Sequence, residues 1–525
     1  MCGILCYYNK HHTSLSINFK LNLEKLNNRG PDNSADLEID NVLLGFTRLA
    51  INGLNEKSMQ PFNLDDNLFC ICNGEIYNYK ELAHEYNIKL STGSDCEIIL
   101  PLYKKFGIKK LCELLDGVFA FVIYNKNNST VYAGRDPYGV RPLFIGLTPE
   151  NNIMLGSEIK SLYNDCIEIK AFTPGTFMNL NYFEYESYLY NNLPSPIEYN
   201  MDTILNGTNK YLKEAVNKRM MADVEIGCLL SGGVDSSLIC ALVSKHYNYK
   251  KLHTFSIGLK NSPDLMYAKK VSDYLGTNHH EIILTEEDVL NSIEEVIYAL
   301  ESYDVTTVRA SIGNYLIGKY IKKNTFCKVI FNGDGADEIF GSYKWLSKIT
   351  DPDEFYEENN KLLKEIYFFD VLRSDRSMAA NGLEARTPFL DKKFVSFIMS
   401  ILPSKKMHNN SIEKEILRNA FDKEKLLPDD VLWRSKTAFS DGITSEVRSV
   451  FTILEEYIDT QITDNEYWLF HNKYKCISKE HYYYIKIFNK LFPNTSCNNL
   501  GVIPHLWMPP KKYLGNKIDP SARLL

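Results

Sequence analysis

The hydrophobic pattern of this chain changes in kind at one place, and that change limits the fold more than any other feature. Up to about residue 190 the apolar residues come in short β-type runs: VLLGFTRLAI, NLFCICNG, FAFVIYN, TVYAGRD and NIMLGSE. Turn residues such as Asn52-Gly53 and Asp136-Pro137 separate them. From about 203, fully apolar strands alternate with helices. VEIGCLL leads to a helix starting near Ser236, then come LHTFSIGL, the helix AKKVSDYLG, CKVIFNG and a mostly helical last third. Between the two patterns, LYNNLPSPIEYNMD at 189–202 reads as a linker. The first pattern predicts stacked antiparallel sheets with helices outside. The second predicts a parallel sheet covered by helices. Pro101 in the helical stretch CEIILPLYKKFG predicts lost stability or a kink there. The tail from about 500 reads as irregular.

A length of 525 residues suits two or three domains, and 44% hydrophobic with 24% charged content is ordinary for a soluble protein. A net charge of −7 argues against nucleic acid or acidic membrane as partner. No apolar run is long enough to predict a membrane span, and the first residues lack the layout of a signal peptide. The 12 cysteines are scattered; Cys70 and Cys72 lie in a strand-like run and read as core thiols. Reduced cysteines point to the cytoplasm. His279-His280 is a weak sign of metal, because neighbours on an extended segment point apart.

Two segments carry chemistry. Cys2 follows the initiator methionine, so it can become the N-terminal residue, with its thiol as nucleophile and its own α-amine as base. Asn73-Gly74 follows an apolar strand, where an Asn amide and a Gly N–H can point at one oxygen. Arg48 can pair with a carboxylate and Asp95 with an ammonium. The bland alternatives are a turn, a surface ion pair and a helix cap. The second segment is Ser231-Gly232-Gly233-Val234-Asp235-Ser236-Ser237, between an apolar strand and a helix. It lacks the lysine of a Walker loop but can hold pyrophosphate on backbone N–H groups and hydroxyls. Asp235 can hold Mg2+.

CGI at the start, RGPD, RLAI, NGEIYNY, TGSDCE and GRDPYGVRPLF, in that order, resemble a class II glutamine amidotransferase domain. The resemblance implies the N-terminal-nucleophile αββα sandwich over 2–190. It implies attack by Cys2 on glutamine and an oxyanion hole at Asn73 and Gly74. It also implies glutamine contacts from Arg48, Leu49, Ala50, Ile51, Asn52, Gly53, Glu75 and Asp95. SGGVDSS resembles the loop of the ATP-pyrophosphatases. TFSIGLKNSPDLMYAKKVSDYLG, ESYDVTTVRAS, FNGDGADEIFG, NGLEARTPFLDKKF and WRSKTAFSDG then resemble the glutamine-hydrolysing asparagine synthetase family over 203–525.

That resemblance implies an α/β ATP-pyrophosphatase domain with a helical C-terminal part. Leu230, Ile257 and Asn332-Gly333 would line the adenosine side of ATP. Ser231, Gly232, Gly233, Asp235, Ser236 and Lys436 would meet phosphates or Mg2+, with Asp337 as second metal carboxylate. Thr306 and Arg309 would act at the aspartate side, and Asp334 in the acyl-adenylate step. The bland readings are a buried ion pair for Arg309 and a solvated loop lysine for Lys436. Many family members carry Ser-Gly-Glu where this chain has Asn332-Gly333-Asp334, and an aromatic residue where it has Asn33.

The expected reaction is ATP-dependent synthesis of asparagine from aspartate with ammonia from glutamine, through β-aspartyl-AMP, releasing AMP, pyrophosphate and glutamate. The partners are small molecules, with a homodimer left open. An intact Cys2 argues against a cyclising, β-lactam-forming relative, which needs no ammonia. SGGVDSS argues against a sugar or phosphoribosyl acceptor. Retention of Cys2, Asn73, Asp235, Arg309 and Lys436 argues against a silent sensor.

Overall fold

The computed structural model describes residues 1–11, 17–188, 194–247, 250–408, 412–435, 448–493 and 506–514. In the first half, two six-stranded antiparallel sheets lie face to face. One contains Gly3–Tyr8, flanked by Val42–Arg48 and Ile153–Gly156. The other contains Leu68–Ile76, paired with Gly117–Asn125. Strand periodicity explains the stacking. Ile4, Cys6 and Tyr8 enter the core between the sheets with Phe46, Ile71 and Val122. Leu5 and Tyr7 point the other way, onto the helix Phe19–Glu24. Cys70, Cys72, Phe119 and Phe121 face the helix Ile99–Leu114 on the far side. The layers therefore run helix, sheet, sheet, helix. Central strands are apolar on both faces, as their near-continuous runs require.

Pro101 does not kink its helix. It lies in the first turn of Ile99–Leu114, where its missing N–H has no intrahelical partner to lose. The break falls at Gly107 instead, with φ +76° and ψ 177°.

The second half holds a five-stranded parallel sheet. Its spatial order is Asn278–Leu284, His253–Leu259, Glu225–Leu229, Cys327–Phe331 and Glu384–Arg386. The helix Val234–His246 packs Leu238, Ile239 and Leu242 on one face with Ile226 and Phe331. The helix Val305–Asn324 packs Val308 and Ile312 on the other with Phe255 and Ile330. The first of these helices begins at Val234, two residues before the sequence places it. His279 bonds Thr254 and Ser256, whereas His280 faces His253 and Tyr320, as neighbours on a strand should. The tail contains a helical turn, Lys511–Leu514, within a stretch expected to be irregular. No helix among the described residues is long and apolar enough to cross a membrane.

Buried charges join the halves. Glu158 faces Arg29 at 2.9 Å and Arg376 at 3.1 Å. Asp375 faces Arg29 at 2.8 Å, and Glu384 faces Arg141 at 3.1 Å and Arg386 at 2.9 Å. Burial alone would raise the Glu158 carboxyl, but Lys160, Arg376 and Arg29 hold it well below the usual carboxylate range. Removing one member of such a pair costs about 3–5 kcal/mol, so the halves are held in one arrangement.

Candidate active sites

Cys2 lies just before the strand Gly3–Tyr8, beneath the second half of the chain. Its carbonyl accepts from Arg29 Nε at 3.0 Å, and Arg29 is in turn held by Asp375. The thiol points at the Leu49 carbonyl, 3.7 Å away. A Cβ at Gly3 would sit 2.5 Å from Thr47 Oγ1, so glycine is what lets the strand that follows Cys2 close on its neighbour. Burial pushes the thiol up to about 11. The α-amine is on Met1 here and donates to Leu383 O at 3.4 Å; burial lowers it to about 5. With Met1 in place the amine is one residue away from where Cys2 needs it.

Asn73 is fully buried on Leu68–Ile76, and among the described residues neither end of its amide has a partner. A buried amide without partners is costly unless a ligand supplies them. Gly74 packs so tightly that a Cβ would lie 2.3 Å from Val118 O. Asp95 is 3% exposed and accepts from Ile76 N at 2.6 Å; burial raises its carboxyl to about 6 despite that bond. Glu75 takes a bond from the Asn52 side chain, and Arg386 from the second half stands 3.5 Å away. Burial, then Glu384 and Asp95, raise the Glu75 carboxyl. Arg48 is not a surface ion pair. It is buried, donating to Asn55 O at 2.9 Å and to Gly53 O. Asp95 begins a short 3-10 turn after Ser94, with no side-chain cap. Of these residues Glu75 acts on Cys2 directly: its charge, with that of Glu384, raises the thiol further.

The second site is a cavity of about 270 Å³ at the carboxyl ends of Glu225–Leu229, His253–Leu259 and Cys327–Phe331. Ligands of open α/β sheets bind at that edge. Leu230, Ser231, Gly233, Asp235, Ser236 and Ile257 line it, together with Asn332, Gly333, Asp334, Asp337, Thr306 and Arg309. Gly232 does not line it. At φ +73° its Cβ would strike Tyr267 Cβ at 2.4 Å, so Gly232 makes the turn rather than the wall. Gly233 caps the helix Val234–His246 and meets nothing nearer than Ser231 Oγ at 3.4 Å. Ser231 N donates to Ser236 Oγ at 3.2 Å, closing the loop over the helix N-terminus. A Cβ at Gly333 would lie 2.9 Å from Asp235 Cβ, so glycine lets the two loops meet.

Lys414 Nζ stands between Asp235, at 2.5 Å, and Asp337, at 2.6 Å. Burial would lower that amine, but the two carboxylates hold it above its ordinary value. One ammonium therefore bridges both carboxylates, and two hard oxygen donors that meet at one cation fit Mg2+. Asp334 pairs with Arg373 at 2.9 Å, and Arg373 also pairs with Asp370. Tyr343 OH donates to Glu338 at 2.6 Å, whose carboxyl is raised by burial, then by Asp370 and Asp337. Arg309 makes a two-point pair with Glu480, its Nε at 2.7 Å, so the buried ion pair open from sequence is present. Arg309 nevertheless lines the cavity. Thr306 Oγ1 is buried without a partner among the described residues. Lys436 lies outside the described residues; Arg434, two positions earlier, reaches the cavity and pairs with Asp264 at 2.9 Å.

Sequence reasoning missed Lys414, Arg373, Asp370, Glu338, Tyr343 and Trp507 as lining residues. Glu338 lies within a motif already singled out, GADEIFG, with Tyr343 just beyond it; the others carry no short-range signal.

The family model described as "Asparagine synthase" matches residues 207–355 and 347–501, and one described as "Glutamine amidotransferase domain" matches residues 1–210. A glutamine-hydrolysing asparagine synthetase of Gallus gallus is 41% identical over 100% of this chain and 98% of its own. A probable one from Acanthamoeba polyphaga mimivirus is 40% identical over 100% of both chains. That of Homo sapiens is 40% identical over 100% of this chain and 98% of its own.

Proposed function

Because the chain belongs to the glutamine-hydrolysing asparagine synthetase family, we propose that its two sites perform the two halves of that reaction in the following way. Once Met1 is removed, the freed α-amine of Cys2 takes the thiol proton and the sulfur attacks the glutamine amide carbon. The oxyanion enters the hole formed by the Asn73 amide and the Gly74 N–H. Arg48 meets the glutamine carboxylate, and Asp95 with Glu75 meets its ammonium. Collapse returns the proton to nitrogen, ammonia leaves, and water later frees glutamate from the thioester. This gives the helix-sheet-sheet-helix domain the N-terminal-nucleophile role.

In the cavity, ATP lies with its adenosine against Leu230, Ile257 and Asn332. Its phosphates lie over Ser231, Gly233 and Ser236 at the helix N-terminus. Asp235 and Asp337 would hold Mg2+, which supplies charge neutralisation for departing pyrophosphate. The aspartate β-carboxylate attacks the α-phosphorus and the bond to pyrophosphate breaks, leaving β-aspartyl-AMP. Thr306 and Arg309 face that reacting end, and Lys436 is assigned to the phosphates. Ammonia crosses between the halves and displaces AMP, which is a far better leaving group than the oxygen of a free carboxylate.

The observation that carries this reading is the fully buried Asn73 amide, without a partner among the described residues, in the same chain as a strand-end cleft whose two carboxylates share one cation. The test is pyrophosphate release from Mg·ATP and glutamine, with aspartate compared against other carboxylates, while asparagine is assayed. Aspartate-dependent pyrophosphate with matching asparagine is the expected result. Pyrophosphate indifferent to aspartate, with glutamate still formed, would mean another acceptor.

A further inference from the structure

The loop expected to hold glutamine has no regular secondary structure, and much of what fixes it comes from the other half of the chain. Asp223 N donates to Ile51 O at 3.0 Å, and Gly53 N donates to Asp223 Oδ2 at 2.8 Å. Asp223 thus brackets Asn52, whose amide donates to Glu75. One step earlier, Ala50 N donates to Asp32 Oδ2 at 2.7 Å. That carboxylate is paired at 2.7 Å with Lys328, which also reaches Ala50 O at 3.4 Å. Gly53 adopts φ +60°, and its carbonyl accepts from Arg48.

We propose that Asp223 and Lys328 are positioning residues for glutamine, fixing the peptide planes of Ala50–Gly53 so that Arg48, Asn52 and Glu75 stand in binding register. The proposal rests on the glutaminase reading above and deepens it: part of the glutamine loop's support belongs to the synthetase half. Asp223 lies two residues before the strand Glu225–Leu229, and Lys328 lies on Cys327–Phe331. These strands pair in parallel, Glu225 opposite Cys327, so both contacts sit at one edge of the sheet. The carboxyl ends of the same strands lead into Ser231–Gly233 and Asn332–Gly333. Two strands therefore brace the glutamine loop at one end and floor the ATP cleft at the other.

Neither residue touches a reacting atom, so the effect belongs in glutamine affinity. Asp223 is solvent-exposed, which limits each of its bonds to a modest net worth and leaves folding intact when it is replaced. A loop whose plane is lost before binding must be ordered by the ligand, and that cost appears as weaker binding.

The experiment uses the full-length chain carrying Asp223→Ala, Asp223→Asn or Lys328→Met. Glutaminase kcat and KM, ammonia-dependent asparagine synthesis and the unfolding midpoint are measured for each. Asp223→Ala should raise the KM for glutamine about tenfold, with kcat within about twofold. Asp223→Asn keeps an oxygen for Gly53 N–H and should stay within about twofold of the parent. Lys328→Met should give about a threefold rise. Ammonia-dependent synthesis should not change in any of them. The glutamine concentration that half-protects Cys2 from alkylation should shift by the same factor as KM, which checks affinity without turnover. A parental KM in Asp223→Ala, an Asn variant as impaired as the Ala variant, or an equal fall in ammonia-dependent synthesis would each overturn the proposal. A parent chain without glutaminase would instead overturn the reading beneath it.

Discussion

The two sites differ in how their most deeply buried polar groups are satisfied. On the amidotransferase side, the Asn73 amide is buried with no partner among the described residues, held open by close sheet packing around Gly74. On the synthetase side, the charges are already spent on one another: Lys414 on Asp235 and Asp337, Arg373 on Asp334 and Asp370, Arg309 on Glu480. The magnitudes explain the difference. A buried neutral amide left unpaired costs about 1–3 kcal/mol, which a folded sheet tolerates. An unpaired buried ion costs several kcal/mol, so a cleft built for a polyanion must balance its charges while empty. The first site offers a neutral amide to a ligand's hydrogen bonds, whereas the charged groups of the second can be engaged only by exchanging partners.

The largest test of that contrast is Cys2→Ala. It should lower glutamine-dependent synthesis about 10⁴-fold, because no other group supplies the nucleophile, and leave ammonia-dependent synthesis within about twofold. Loss of both in a folded variant would break the division into two sites. Next is Lys414→Met, which leaves two carboxylates facing each other. Denaturant unfolding should show a loss of about 3–5 kcal/mol without Mg2+, largely restored by millimolar Mg2+. An unchanged midpoint would mean that the cleft does not depend on internal charge balance. Asn73→Ala should lower glutaminase kcat about 10²- to 10³-fold with little change in KM, since in the proposed reading its amide bonds the oxyanion. A pure KM effect would move Asn73 from the oxyanion to the substrate's ends. The smallest effect is on pH. Burial raises the Asp95 carboxyl to about 6, so it is charged above that pH and neutral below. The attraction for the glutamine ammonium that the proposed reading gives it is lost as pH falls, and KM should rise up to about tenfold per unit below pH 6. Asp95→Asn should flatten that limb of the KM profile.

Much of both sites was legible because the chemistry sits where backbone pattern changes. Asn73-Gly74-Glu75 ends an apolar run, and Ser231–Ser237 joins an apolar strand to a helix. The alternation of strand and helix likewise announced the parallel sheet. What stayed hidden depends on contacts between distant segments. Lys414 meets Asp235 across 179 residues, and Trp507 N reaches Asp304 across 203. No periodicity or spacing encodes such a meeting. Arg29, Glu158 and Arg376 come from distant segments, yet together they form the buried seam between the halves. The misplaced kink has a local cause: Pro101 falls in a first turn, where proline is harmless, and Gly107 carries the conformation that helices exclude.

The most direct test that one chain joins both reactions is isotopic. Glutamine labelled with ¹⁵N on its amide is supplied with Mg·ATP, aspartate and a several-fold excess of unlabelled ammonium, and the label in asparagine is measured. If ammonia passes between the halves, asparagine carries far more ¹⁵N than the mixed solution pool. A label fraction equal to that of the pool would mean that the nitrogen leaves the protein before it is used, and the two sites would be neighbours without being partners.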